Sequence, residues 1–248
     1  MGVTNLMAGT RIDEVADRVY RISTVVAGGT FSHNQYLIDD DDPLLFHTGS
    51  RRLAPFVMEA VSTIMPFACI RYLAFSHYES DECGALDAML AAAPKGEPVC
   101  GRINTLINAD AFDRPARTLA DGEILALGRH RIRWLDAPHV PHGWECGFAF
   151  EEVTGMLLCG DLFSQGGGGL PPLSTSDLVG ASEAFRRRVD YFSYAANTRR
   201  VLEHLAATGA TSLGCMHGSA WEGDAPGALR ALGDALALRE ERASSWRA

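Results

Sequence analysis

An α/β fold in a single domain spanning residues 1–248 is what this sequence predicts, on three observations. At 248 residues with 47% hydrophobic content, the chain is long enough to bury a large core. Short apolar runs with strand character are interleaved with segments of helical spacing, the pattern of sheet covered by helix. Several of those runs stop at a His, Asp or Glu, as strands do when they deliver chemistry to loops at one edge of a sheet.

The elements follow in order. After a polar start, Ala16 to Ile22 alternates in the strand manner, Gly28-Gly29 interrupts, and Asn34 to Ile38 resumes with β-formers. Asp39 to Pro43 reads as a turn, and Leu44-Leu45-Phe46-His47-Thr48-Gly49 as a short buried strand entering a polar loop. Arg51 to Met65 carries Leu53, Phe56, Val57, Ala60, Val61 and Ile64 at helical spacing and is closed by Pro66. Phe67 to Phe75 is the next expected strand, followed by a helix from Cys83 to Ala93. A strand near Val99, a helix from Arg102 to Ala109 and a hairpin across Gly128-Arg129 come next. Gly147 to Glu151 and Met156 to Cys159 form a further strand pair about the turn Val153-Thr154-Gly155. Gln165 to Thr175, with four consecutive glycines, is expected to be a mobile loop. Ala181 to Ala207 reads as one long helix, Thr211 to Met216 as the last strand, and Pro226 to Arg242 as a terminal helix.

A formal net charge of -9 argues against nucleic acid or an anionic membrane surface as partner, since both demand clustered Lys and Arg. No run of about 18 apolar residues is present, so no membrane span is expected. Six cysteines stand singly with no C-x-x-C pair, which fits a reducing, cytoplasmic setting. The N-terminus lacks a basic segment followed by an apolar core, so no secretory signal is expected. Met1-Gly2 opens like a myristoylation site, but Leu6 stands where Ser or Thr is needed.

The densest chemistry lies in Ser76-His77-Tyr78-Glu79-Ser80-Asp81-Glu82. In an extended segment alternate side chains point the same way, so His77, Glu79 and Asp81 can converge, with Glu82 facing the other side of the same volume. Three carboxylates and an imidazole at such range repel and shift one another's pKa values, and a bound cation removes the conflict. Three more strand ends offer His142, Asp161 and His217. Neutral imidazole and carboxylate suit iron, manganese or zinc, and no Cys is among the candidates. With Asp161 as bridge, one metal would be held by His77, Glu79 and His142, and a second by Asp81, His217 and Glu82. Asp81 and Asp161 are the residues expected to touch the reacting species.

The order H-x-E-x-D, then a His after a strand, then Gly160-Asp161 at a strand end, then His217-Gly218, resembles the metallo-β-lactamase superfamily. The opening Asp17 to Ile22, the Asn34 to Ile38 strand and Phe46-His47-Thr48-Gly49 support the likeness. Glu79 in place of the second His of H-x-H-x-D-H is similar to the diiron branch, the flavo-diiron reductases and oxygen-binding diiron proteins. The resemblance implies a four-layer α/β/β/α sandwich, two irons between the sheet edges, and His142 rather than His139 as ligand, with His139 and His47 in support. Glu82 departs from the branch where His is usual, and His47 replaces the Asp of D-T-G. No flavodoxin-like domain follows, so no flavin is expected in the chain and electrons would come from a separate reductase.

Three functions follow. One is a diiron protein that binds or reduces O2 or NO. The second is a hydrolase using a metal-bridged hydroxide on a small-molecule ester, lactone or phosphodiester, with zinc or manganese. The third is a metal-based sensor that signals through the aromatic segment from Phe185 to Tyr194. His33, His130 and His204 read as surface or half-buried histidines, Trp144 as a packing residue, and Arg186-Arg187-Arg188 as a solvated face. A homo-oligomer is compatible with all three.

Overall fold

The computed structural model describes residues 2–5 and 9–245; Met1 and Leu6 of the opening motif lie outside the described residues. The first half runs β1 (Gly2–Asn5), β2 (Thr10–Ala16), β3 (Val19–Val26), β4 (Phe31–Ile38), β5 (Leu44–Phe46), α1 (Ala54–Ser62), β6 (Tyr72–Ala74), α2 (Ser80–Cys83), α3 (Leu86–Ala92), β7 (Glu97–Gly101), α4 (Arg102–Asn108) and β8 (Arg117–Leu119). The second half runs β9 (Ile124–Ala126), β10 (Arg131–Asp136), β11 (Gly147–Glu151), β12 (Met156–Leu158), β13 (Leu173–Ser174), α5 (Leu178–Arg186), α6 (Thr198–Ala206), β14 (Ser212–Gly214), β15 (Ala220–Glu222) and α7 (Ala225–Ser245).

These elements form two sheets. The first holds β1 to β8 in chain order, and the second has the order β13-β15-β14-β12-β11-β10-β9. In the first sheet β5 to β8 are parallel, and the wholly buried runs Leu44–Phe46 and Tyr72–Ala74 read as strands covered on both faces. One apolar cluster lies between the sheets, where Tyr36, Phe46 and Tyr72 meet Trp134, Ala149 and Leu158. A second joins the first sheet to α1 and α3 through Val57, Val61, Met89 and Leu90. A third joins the other sheet to α6 and α7 through Val201, Leu205, Leu229 and Leu232. The result is the expected four-layer α/β/β/α sandwich. Close approach of sheet residues is built in at Gly147, where a Cβ would stand 2.3 Å from Trp134.

Several local expectations are corrected. The alternation over residues 16–22 crosses a hairpin turn, with Arg18 at φ 53, so it spans the end of β2 and the start of β3. Phe67–Cys69 is a 3-10 turn, leaving only Tyr72–Ala74 as strand. The long helix over residues 181–207 is two helices, α5 and α6, because the intervening backbone makes tertiary hydrogen bonds instead. Ser193 N–H donates to Pro141 O at 2.7 Å, Tyr191 O accepts from His142, and Asn197 donates to Pro138 O at 2.9 Å. The aromatic periodicity persists through the break because Tyr191 and Phe192 still pack on the core.

The glycine loop is docked. Gln165 N–H donates to His217 O, Gly167 N–H donates to Thr30 O at 2.8 Å, and Leu173–Ser174 forms the edge strand β13. A Cβ at Gly168 would meet Gly29 O at 2.7 Å, so glycine is what lets this loop lie on the β3–β4 connection. Arg186 is buried against Glu183 and Tyr194 and is no solvated face. No helix among the described residues is long and apolar enough to cross a membrane.

Candidate metal centre

The loops after β4's hairpin, β6, β10, β12 and β14 meet at one edge of the sandwich. His77 and Glu79 come from the segment after β6, where a buried apolar strand ends and Glu79 turns extended backbone into the first turn of α2. The period-two argument therefore holds only as far as Glu79. Asp81 and Glu82 reach the site from α2, so a helical turn brings them there. His142, Asp161 and His217 come from the second sheet, after β10, β12 and β14.

The side chains fall into two groups. In the first, His77 Nε2 lies 2.9 Å from His142 Nε2 and 2.9 Å from Glu79 Oε2, while His142 Nε2 is 3.1 Å from Glu79 Oε2. Asp161 Oδ2 closes this group at 3.3 Å from His142 and 3.7 Å from His77. In the second, His217 Nε2 is 3.1 Å from Asp161 Oδ1 and 3.5 Å from Asp81 Oδ2. Asp161 thus turns one oxygen to each group. Glu82, fully buried, also faces Asp161 and His217.

The imidazoles are oriented from behind. His142 Nδ1 donates to Tyr191 O at 2.8 Å and His217 Nδ1 donates to Ser32 O at 2.9 Å, so each Nε2 presents its lone pair to the site. His77 Nδ1 meets Ser76 Oγ at 3.0 Å, and His47 Nε2 meets the same hydroxyl at 3.0 Å. His47 thus reaches His77 through the Ser76 hydroxyl, and burial pushes its pKa down to about 3, so it stays neutral. Its loop also grips α2, since Thr48 N–H donates to Glu82 O at 2.7 Å. The ring of His139 is exposed; its backbone N–H donates to Gly143 O and its carbonyl accepts from Ser193, so its support runs through the main chain.

The electrostatics favour a cation. The ion-pair partners of Glu79, Asp81, Glu82 and Asp161 are all histidines. Both carboxylate oxygens of Glu82 are buried without a hydrogen-bond partner. Burial, then Asp161 and Asp81, push its pKa well up. Glu79 is held down to about 2 by hydrogen bonds from His142 and His77, and Asp161 is lowered by His217, His77 and His142 against the cost of its burial. The rings of His77, His142 and His217 converge with the carboxylates of Glu79, Asp81, Glu82 and Asp161, the donor set of a pair of hard or borderline cations, and the residues fit such ions.

Sequence reasoning passed over several contributors. His33, read as incidental, has its Nε2 3.8 Å from Asp81 Oδ2. Phe31 stacks on His217 with centroids 3.9 Å apart and on Phe185 at 5.3 Å, and Phe185 and Tyr191 continue the row at 6.1 Å. The one available signal was Phe31-x-His33 at the head of a strand beside a Gly-Gly break. Glu145 accepts from Tyr78 N–H at 3.0 Å and pins the ligand loop, which nothing in the sequence marks. Trp144 is 56% exposed and packs no core. His130 is wholly buried beside Glu151, whereas His204 is exposed as expected.

Comparison with known proteins decides the family: the pattern described as "ODP family beta lactamase" matches residues 31–206. The chain belongs to this family. Within curated proteins, it is 25% identical over 188 residues to a rubredoxin-oxygen oxidoreductase of Megalodesulfovibrio gigas, covering 72% of this chain and 46% of that one. It is also 25% identical over 137 residues to a nitric oxide reductase of Moorella thermoacetica, covering 54% of this chain and 34% of the relative. The chain thus spans less than half of these relatives. Among solved structures, the rubredoxin oxygen:oxidoreductase of Desulfovibrio gigas superposes with a TM-score of 0.81 at 18% identity, covering 91% of this chain and 61% of that one. A fragment of putative diflavin flavoprotein A 5 from Nostoc gives 0.79 at 15% identity, covering 94% and 98%. The chain shares the metallo-β-lactamase fold of flavodiiron cores.

Proposed function

We propose that this ODP-family chain is a non-haem diiron protein that binds or reduces O2 or NO with electrons from a separate redox protein. The observation that carries the reading is Asp161, which turns Oδ2 to a His77–Glu79–His142 group and Oδ1 to an Asp81–His217 group. On this reading, His77, Glu79 and His142 would hold the first iron and Asp81, Glu82 and His217 the second, with Asp161 offering one oxygen to each group. The names of the relatives, an oxygen oxidoreductase and a nitric oxide reductase, point the same way.

Bound iron supplies one-electron chemistry toward a diatomic ligand. The chain supplies the rest. Ser32 O and Tyr191 O accept from Nδ1 of His217 and His142 and so turn each Nε2 toward the site. The row Phe31, Phe185 and Tyr191 places an apolar wall beside His217 and His142, a surface suited to a small uncharged molecule.

The deciding experiment is elemental analysis of protein purified without chelator or added metal, with its visible spectrum and its response to NO under anaerobic conditions. Two irons per chain, absorption that bleaches on reduction, and a spectral change with NO are expected. Zinc or manganese without colour, with turnover of ester or phosphodiester probes, would overturn the reading in favour of hydrolysis.

A further inference from the structure

The second half of the site is short of nitrogen. Around the first position stand two imidazoles, His77 and His142, but beside Asp81 the loops after β6, β10, β12 and β14 bring only one, His217, with Glu82 as the neighbouring carboxylate. Glu82 is fully buried with both oxygens unpartnered, so it adds charge there without adding a soft donor.

The gap is faced from an unrelated part of the chain. His33 lies on β4, 44 residues before His77, and strand alternation places it on the same side as Phe31. Its ring stands 5.4 Å from the His217 ring at 67°, and Phe31 stacks against His217 and meets His33 edge-on at 5.7 Å. His33, Asp81 and His217 each offer one ligand atom within 4.8 Å of the others. The 3.8 Å from His33 Nε2 to Asp81 Oδ2 is too long for a hydrogen bond. It is the spacing of two donors on one ion: atoms about 2.1 Å from a metal are about 3 Å apart at a right angle and about 4 Å apart when opposed.

We propose that His33 is a ligand of the second metal, restoring from β4 the imidazole that the H-x-E-x-D-E segment lacks. This rests on the dinuclear reading above. His142 and His217 each have Nδ1 anchored on a backbone carbonyl, whereas His33 Nδ1 is buried without a hydrogen-bond partner. His33 is accordingly the least constrained imidazole of the set and the one an incoming ligand displaces most readily.

The test is anaerobic titration of the metal-free protein with cobalt(II), read by its visible bands, alongside iron per chain by elemental analysis. Wild type is expected to take up two ions in two resolvable steps. His33→Ala should keep the first step unchanged, which also reports correct folding, and weaken the second by at least about tenfold. His33→Asp, which can ligate, should recover part of the loss, and His33→Gln, which can hydrogen-bond but ligates poorly, should not. An unchanged second step in His33→Ala, or equal recovery with Gln and Asp, overturns the assignment while leaving the dinuclear reading intact. Uptake of a single ion by wild type overturns both.

Discussion

Substitution of Asn34 probes how the His217 loop is held in place. The Asn34 side-chain N–H group donates to Cys215 O at 2.9 Å and to Gly218 O at 2.8 Å, bracketing His217. Both carbonyls have a second donor, Tyr36 Oη at 2.9 Å and Arg21 Nη2 at 2.5 Å, so Asn34→Ala removes two hydrogen bonds without orphaning either acceptor. At about 1 kcal/mol net per bond, and with the unpartnered buried Oδ1 removed as an offset, the cost should be about 1–2 kcal/mol. Asn34→Asp has nearly the same volume but turns the donor into an acceptor facing two carbonyl oxygens, and should cost about 3 kcal/mol or more. Urea unfolding of the metal-free protein reads both as lower midpoints at constant slope. The second cobalt step should weaken in the same order. Should Asp prove no worse than Ala, the two hydrogen bonds do not hold this loop and the reasoning is refuted.

Three further outcomes are expected. Asp161→Ala should lose both metals together, whereas Glu82→Ala should retain at least one; equal loss measured by metal content contradicts a bridging Asp161. His47, lowered by burial to about 3, is neutral when folded, so the stability it confers is complete above about pH 6.5 and is lost as pH falls toward about 3. His47→Gln should flatten that acid limb by up to a few kcal/mol, seen as a shallower pH dependence of the urea midpoint. Gly147→Ala, whose Cβ would stand 2.3 Å from Trp134, should destabilise by about 1–3 kcal/mol in thermal melts without changing metal stoichiometry.

What the sequence disclosed was whatever travels in contiguous residues. The apolar runs at Leu44–Phe46 and within residues 67–75 declared strands, and His77, Glu79, Asp81 and Glu82 declared a cluster of metal-capable side chains whose members do gather in the fold. Period-two reasoning misplaced the cause, since Asp81 arrives through a helical turn. His33 was illegible because its relevance depends on β4 lying against the loop after β14, a contact between residues 185 apart at Ser32 and His217. The split of the helix over residues 181–207 was hidden for a similar reason: Tyr191 and Phe192 stay buried whether the backbone is helical or not, so hydrophobic spacing does not report the break. The docking of the glycine loop was likewise unreadable, because Gly166 to Gly169 signal conformational freedom and not the surface that uses it.

Every half of the candidate centre draws on both sheets: His77 and Glu79 face His142, and Asp81 faces His217, with Asp161 between. The first group takes His142 and the second takes His217 from the second sheet, and Asp161 faces both. Ions held at the two groups would therefore rivet residues 9–119 to residues 124–222 across the seam between the sheets.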